Sequence, residues 1–220
     1  LILILIGLAS HYASALGEGI PLGDSIFTKQ LVASAIGLAA LFIASQIDFK
    51  VYRSWARVWY VFMLLVLGSV LVFGQEIRGT RGWFTGGGIS FQPVEVAKFL
   101  FIISLAAYLV YLGPPLNFKK TFGSGLLLLP PLILVLLQPD FGSASLLVFI
   151  FLVMLSMVPK PKSWWWWVAC ILLVVMSLGW LGLKDYQKSR LQVFLNPQLD
   201  PLNTGYNVTQ SVIAVGSGQW

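Results

Sequence analysis

The feature that most constrains this chain is a succession of seven apolar runs, at 1–15, 30–47, 58–73, 95–112, 122–137, 143–158 and 164–183, separated by polar connections. A helix that crosses a bilayer needs roughly 20 mostly apolar residues, because it must close its own backbone hydrogen bonds through about 30 Å of hydrocarbon. The runs reach or approach that length. A chain that is 58% hydrophobic and 10% charged is also far too apolar for a soluble domain. The expected fold is an all-α, polytopic transmembrane helical bundle, one membrane domain over 1–220. The chain starts on Leu1 inside an apolar run and stops at Trp220 inside a polar one, so it reads as a fragment.

The net charge of +6 raises the question of nucleic acid, and its distribution answers it. If the connections alternate sides, one side holds 48–57, 113–121 and 159–163. These carry Lys50, Arg53, Arg57, Lys119, Lys120, Lys160 and Lys162 against Asp48 alone. On the other side the charges cancel. Short loops rich in Lys and Arg stay cytoplasmic. The basic excess is therefore an orientation signal with the N-terminus inside, and no nucleic-acid partner is expected. Four tryptophans open the seventh run beside Lys160 and Lys162, which reads as an interface anchor in contact with membrane lipid.

Every unusual polar segment then faces outward. The first, 74–98, is expected to be an outer-face loop supplying Arg78, Arg81, Glu95 and Lys98. Gln92-Pro93 is a helix start, since proline at the first helical position gives up no needed N–H. Glu95 then falls in the first turn, where the helix dipole favours an anion, with Lys98 three residues on along the same face. Ionisable residues at a membrane edge are a functional hypothesis by default; the plain alternative is a pair that only neutralises itself. The second segment, Gln138-Pro139-Asp140-Phe141-Gly142, breaks an apolar pattern and supplies Gln138 and Asp140. The third, 184–220, is expected to be another outer-face loop, with Arg190, Gln210 and Ser211 as candidates and Lys184, Asp185 and Lys188 as solvated charges.

Arginines and lysines beside carboxylates at a membrane surface suit a substrate with a lipid tail and a phosphate head. A carboxylate there can serve as a general base or hold a divalent cation such as Mg or Mn. With one histidine, His11, and one cysteine, Cys170, zinc sites and Ser-His-Asp chemistry are nearly excluded. The three glycines 86–88 are not a phosphate-binding loop, since no Gly-Lys-Ser/Thr follows.

These motifs resemble a known family. GTRGWF at 79–84, followed by FQPVEVAK at 91–98, is similar to the GxRRW…QPSExxK pattern of the SEDS family (shape, elongation, division and sporulation). QPDFG resembles its QPDLG motif. DYQKSR and FLNPQLDPLNTGYNVTQSVIAVGSG resemble its outer-loop signature, in wording nearer the rod-shape branch than the division branch. The resemblance covers nearly the whole chain. It implies a ten-span fold, of which about seven are visible, with both termini cytoplasmic in the bacterial inner membrane. It implies a peptidoglycan glycosyltransferase that polymerises lipid II, the undecaprenyl diphosphate-linked disaccharide peptide, beside a class B penicillin-binding protein. It maps the family's functional Glu and Lys onto Glu95 and Lys98, as supporting residues. The family's essential aspartate is expected C-terminal to Trp220, which leaves the catalytic base and any metal site unassigned. Two departures stand out: Gly82 replaces the second arginine, and Val94 replaces serine. The first puts a second phosphate contact in doubt. Two other readings share the features: a lipid-linked precursor flippase, and a non-catalytic scaffold of the cell wall synthesis complex. A secondary transporter is disfavoured, since no internal repeat is visible.

Overall fold

In a computed structural model the described residues are 1–17, 19–21, 23, 25–77, 79–86, 89–166, 168–169, 188, 192–193 and 206–217. The chain divides into two compact units, Leu1–Pro159 and Lys160–Trp220. The first holds α1 (Ile2–Gly17), α2 (Ile26–Ser45), α3 (Phe49–Ser54) and α4 (Ala56–Phe73), then β1 (Gln75–Ile77), β2 (Thr80–Gly86) and β3 (Ile89–Phe91), then α5 (Pro93–Leu112), α6 (Phe118–Leu137) and α7 (Phe141–Ser156). The described part of the second includes α8 (Tyr206–Ser217).

Helices α2, α4, α5 and α6 are long and apolar enough to cross a membrane, and α1 and α7 are apolar helices of 16 residues. The expected helical bundle is therefore present, with six of the seven runs as helices among the described residues. The seventh, 164–183, lies mostly outside them. At three places a capping residue sets the boundary. Asn117 accepts from Lys120 N (2.9 Å) and starts α6 at 118 rather than 122. Asp140 accepts from Ser143 N (3.0 Å) and starts α7 at 141 rather than 143. Asp48 accepts from Lys50 N (2.8 Å) and turns part of a basic connection into α3. In each case a side-chain oxygen satisfies an orphan N–H of the first turn.

The centre of the first unit is α4, α5, α6 and α7. The buried residues recur at helical spacing: Met63, Leu67 and Val70 on α4; Phe101, Leu105 and Leu109 on α5; Leu128, Pro131 and Val135 on α6; Leu147, Phe151 and Leu155 on α7. The opposite faces are no less apolar: Leu65, Phe99 and Phe149 are all exposed, as suits a lipid-facing surface. Lipid tails remove the hydrophobic drive between such helices, so packing and interhelical hydrogen bonds must hold them. Helix α6 passes unbroken through Pro130 and Pro131. Pro131 has no N–H to give the Leu127 carbonyl, and Tyr60 Oη donates to that oxygen instead, at 2.9 Å. Ser104 Oγ is shared between the Leu100 and Ala56 carbonyls, and Gln138 Nε2 donates to the Leu67 carbonyl at 3.2 Å.

The two ends of the unit differ. At one end Leu116 N donates to the Pro159 carbonyl (2.9 Å), joining the α5–α6 connection to the exit of α7. Lys120 Nζ holds that connection through the Gly113 and Pro115 carbonyls, at 2.7 and 3.1 Å. At the other end lies a correction to the sequence reading: most of the loop expected over 74–98 is a three-stranded antiparallel meander, in the order β1-β2-β3. Thr80, Trp83, Phe84 and Thr85 are strand formers. Ile77 faces Thr80, and Gly79 between them takes φ +80, a conformation that costs glycine little. The expected 184–220 loop is likewise corrected in part, since 206–217 is helical. The apolar residues Val208, Val212 and Val215 recur there at helical spacing.

The exit from α4 into the meander depends on Gly74. A Cβ at this position would stand 2.2 Å from the Val70 carbonyl oxygen, which is backbone and cannot swing aside. Gly74→Ala is therefore expected to destabilise by about 1–3 kcal/mol or more, the usual range for overpacking. Thermal unfolding of the detergent-solubilised full-length protein would register it; an unchanged midpoint would contradict the close approach.

Candidate functional site

Three segments meet at the meander end. Arg81 N, on β2, donates to the Gln138 carbonyl at 3.2 Å, tying the meander to the break between α6 and α7. Gln138 is 1% exposed and reaches back to the Leu67 carbonyl of α4. Gly82 lies directly over it: a Cβ there would stand 3.3 Å from Gln138 Oε1 and 3.4 Å from Thr80 Cγ2. The third segment is the start of α5, where Gln92 Nε2 donates to Asp140 Oδ2 at 3.1 Å.

Asp140 accepts three local hydrogen bonds. Oδ1 accepts from Ser143 N, and Oδ2 accepts from Ser143 Oγ (2.7 Å) as well as from Gln92. It is at once the N-cap of α7 and the clamp on the residue that opens α5.

Arg81 is exposed along β2 but anchored. Nε–H donates to the Gly74 carbonyl at 3.1 Å and Nη2 to the Val72 carbonyl at 3.4 Å. These are carbonyls at the C-terminal end of α4, where a cation is favoured. A guanidinium carries five N–H donors in a fixed fork, so an anchored Arg81 still presents donors outward. Glu76 is its partner across the β1–β2 register. Beside them, the Thr85 hydroxyl bonds the Gln75 side chain across the same two strands.

Glu95 and Lys98 form the expected pair, with Lys98 Nζ donating to Glu95 Oε1 at 2.8 Å. Glu95 is the more open partner, its side chain 57% exposed against 15% for Lys98. A half-buried ammonium held by a carboxylate in the first turn of α5 is a fixed positive charge at the surface of the bundle. The pair connects to Asp140 through Gln92, whose carbonyl accepts from Glu95 N at 3.1 Å.

Of the residues singled out from the sequence, Arg81, Gln138 and Asp140 are thus brought together, with Glu95 and Lys98 one helical turn away. Arg78 and Arg190 lie outside the described residues. Gln210 and Ser211 are exposed on α8, in the second unit. Gln92, Gly82 and Ser143 were missed as site members. The Asp-x-x-Ser spacing of 140–143 was a legible cap signal, whereas Gln92 gave only a helix start. Among the described residues, no cluster of three His, Cys, Asp or Glu could hold a metal, and the carboxylate of Asp140 is occupied. The described residues by themselves do not assemble a divalent cation site.

Comparisons with known proteins bear on the family and the fold. A family model described as "Cell cycle protein", for FtsW, RodA and SpoVE, matches residues 1–220. The peptidoglycan glycosyltransferase MrdB of Escherichia coli K12 is 30% identical over 219 residues, covering 99% of this chain and 59% of that protein. Stage V sporulation protein E of Bacillus subtilis is 31% identical over 228 residues, covering 99% of this chain and 61% of that one. The chain therefore spans about three fifths of these relatives' length. Among solved structures, a chain from a study of polymerization and crosslinking by a peptidoglycan synthase complex superposes with a TM-score of 0.75 at 33% identity, over 97% of this chain and 63% of that one. The rod shape determining protein RodA of Thermus thermophilus superposes with a TM-score of 0.58 at 31% identity, over 78% of this chain and 57% of that one.

Proposed function

The chain belongs to the SEDS family, the FtsW/RodA/SpoVE proteins, and from that premise we propose that it acts as a peptidoglycan glycosyltransferase. It would polymerise lipid II at the outer face of the bacterial cytoplasmic membrane, in cell elongation, beside a class B penicillin-binding protein. The observation that carries the reading is the joined end of the bundle. There an anchored guanidinium, a half-buried ammonium and a carboxylate are held by the meander, the α6–α7 break and the start of α5.

The reaction makes two demands. A sugar hydroxyl attacks the anomeric carbon of a second sugar and needs a base to take its proton. The leaving lipid pyrophosphate gathers negative charge and needs positioned cations. In this proposal Arg81 offers its outward N–H donors to phosphate oxygens while its remaining donors stay on the end of α4. Lys98 faces the developing charge, and Glu95 fixes its position. The base is proposed to come from the family's outer loop in the longer protein. The reading has the far end in the cytoplasm and the N-terminus inside, supported by the Lys and Arg excess of the connections there.

The test is direct. Full-length protein with its transpeptidase partner is given labelled lipid II in detergent, and products are separated by length. Glycan strands are expected. Movement of labelled lipid II between vesicle leaflets without any strands would replace the enzyme reading with a flippase, and neither activity would leave a scaffold.

A further inference from the structure

A cavity of about 720 Å³ with polar and apolar walls lies at the opposite end of the first unit, between α3, α4, α5 and α6. Arg53 and Arg57 line it, with Tyr60, Tyr108, Tyr111 and Ser104. The part of α4 beyond Val61, about 18 Å at 1.5 Å per residue, separates it from the meander. We propose that this cavity binds the phosphate-bearing headgroup of an anionic membrane lipid.

The charge balance of the cavity asks for an anion. Among the described residues no acidic one lines it. Among the described residues neither guanidinium has a hydrogen-bond or ion-pair partner. Asp48, the acid nearest in sequence, is spent capping α3. Arg57 sits in the first turn of α4, where the helix dipole disfavours a cation. Both arginines are exposed and belong to the basic excess that orients the chain; a bound anion would in addition offset the dipole at Arg57. Arginine suits phosphate because its fork offers paired donors.

The tyrosines sort into two kinds. Tyr60 donates its hydroxyl hydrogen to the carbonyl freed by Pro131 and is committed to the fold. Tyr108 is seated against α6 where Gly123 leaves room: a Cβ on Gly123 would stand 3.0 Å from its hydroxyl. Tyr111 is 78% exposed at the rim, its ring 6.4 Å from that of Tyr108. The exposed Tyr111 hydroxyl is the one at the cavity mouth.

The rest of the lining selects the source of the phosphate. Val61, Ala107 and Leu127 continue the cavity into the apolar body of the spans. A soluble phosphate compound would leave that part unfilled, whereas an acyl chain fills it. Basic pockets between membrane helices are used in this way for anionic headgroups. The site is separate from the glycosyltransferase end and does not rest on that assignment.

The experiment uses full-length protein in mixed vesicles of phosphatidylcholine and phosphatidylglycerol, extracted mildly, with retained lipid counted by native mass spectrometry. Selective retention of phosphatidylglycerol is expected, falling at least about tenfold in the R53Q/R57Q double variant. Lys119→Gln, a charge removed from the same end but outside the cavity, is expected to retain it. If the double variant fails to fold, Tyr111→Phe removes one exposed hydroxyl and is expected to weaken retention several-fold. Equal retention by wild type and the altered proteins would overturn the site. Displacement of the lipid by millimolar inorganic phosphate alone would overturn the lipid as its occupant in favour of a soluble phosphate.

Discussion

Replacing Lys98 with alanine in the full-length protein is expected to abolish glycan-strand synthesis, by at least about 100-fold, while membrane insertion and folding persist. The two halves of that expectation have different physical sources. Lys98 is half-buried and its ammonium is held 2.8 Å from Glu95. A preorganised donor aimed at developing negative charge is worth about 100- to 1,000-fold in rate. The structural loss is small. Glu95 remains in the first turn of α5, where the helix dipole favours it without a partner. An ion pair with one open member contributes about 1 kcal/mol or less to stability. Lys98→Arg keeps the charge but moves it outward on a longer, planar group, so partial activity is expected. Glu95→Ala should be nearly as damaging as Lys98→Ala, because it frees the ammonium to swing away. Ordinary strand lengths from both alanine variants, assayed with lipid II and checked by gel filtration, would remove this pair from the mechanism.

How far the chain announced this end of the molecule varies from residue to residue. The pair itself was legible, since proline at the first helical position and a three-residue spacing fix both side chains on one turn of α5. The spans were legible where apolar runs exceed what a soluble core allows, and their ends were misplaced where caps lie outside the run, at Asn117, Asp140 and Asp48. The meander was not read because its strands are short and interrupted by glycines that look like loop. Gly79 was the one local hint of a hairpin. Nor could spacing show that Arg81 and Gln138 touch. They are far apart in sequence, and their bond runs through backbone atoms that every residue possesses. Gly82 illustrates the same limit. As a sequence departure it reads as a lost cation; in the structure it is the small residue that lets β2 lie on the buried Gln138 side chain.

Asp140 yields the second large effect, and two substitutions separate its possible duties. Asp140→Ala is expected to cost about 1–3 kcal/mol and most of the activity. It removes the N-cap of α7 and leaves Ser143 N, Ser143 Oγ and Gln92 Nε2 without their acceptor in a half-buried place. Loss of the Gln92 bond also unfastens the start of α5, and with it the turn that carries Glu95 and Lys98. Asp140→Asn should behave differently. Asparagine caps helices as well as aspartate, its Oδ1 can still accept from Ser143 N, and Gln92 can turn its amide to meet the new donor. If the work of Asp140 is to hold three segments together, the asparagine variant keeps strand synthesis within a few-fold and its melting temperature near wild type. If instead the negative charge itself enters the reaction, by binding a cation or moving a proton, asparagine abolishes synthesis while leaving the fold intact. The three hydrogen bonds shared by its two carboxylate oxygens favour the first outcome, and a folded but inactive Asp140→Asn protein would reverse that assignment.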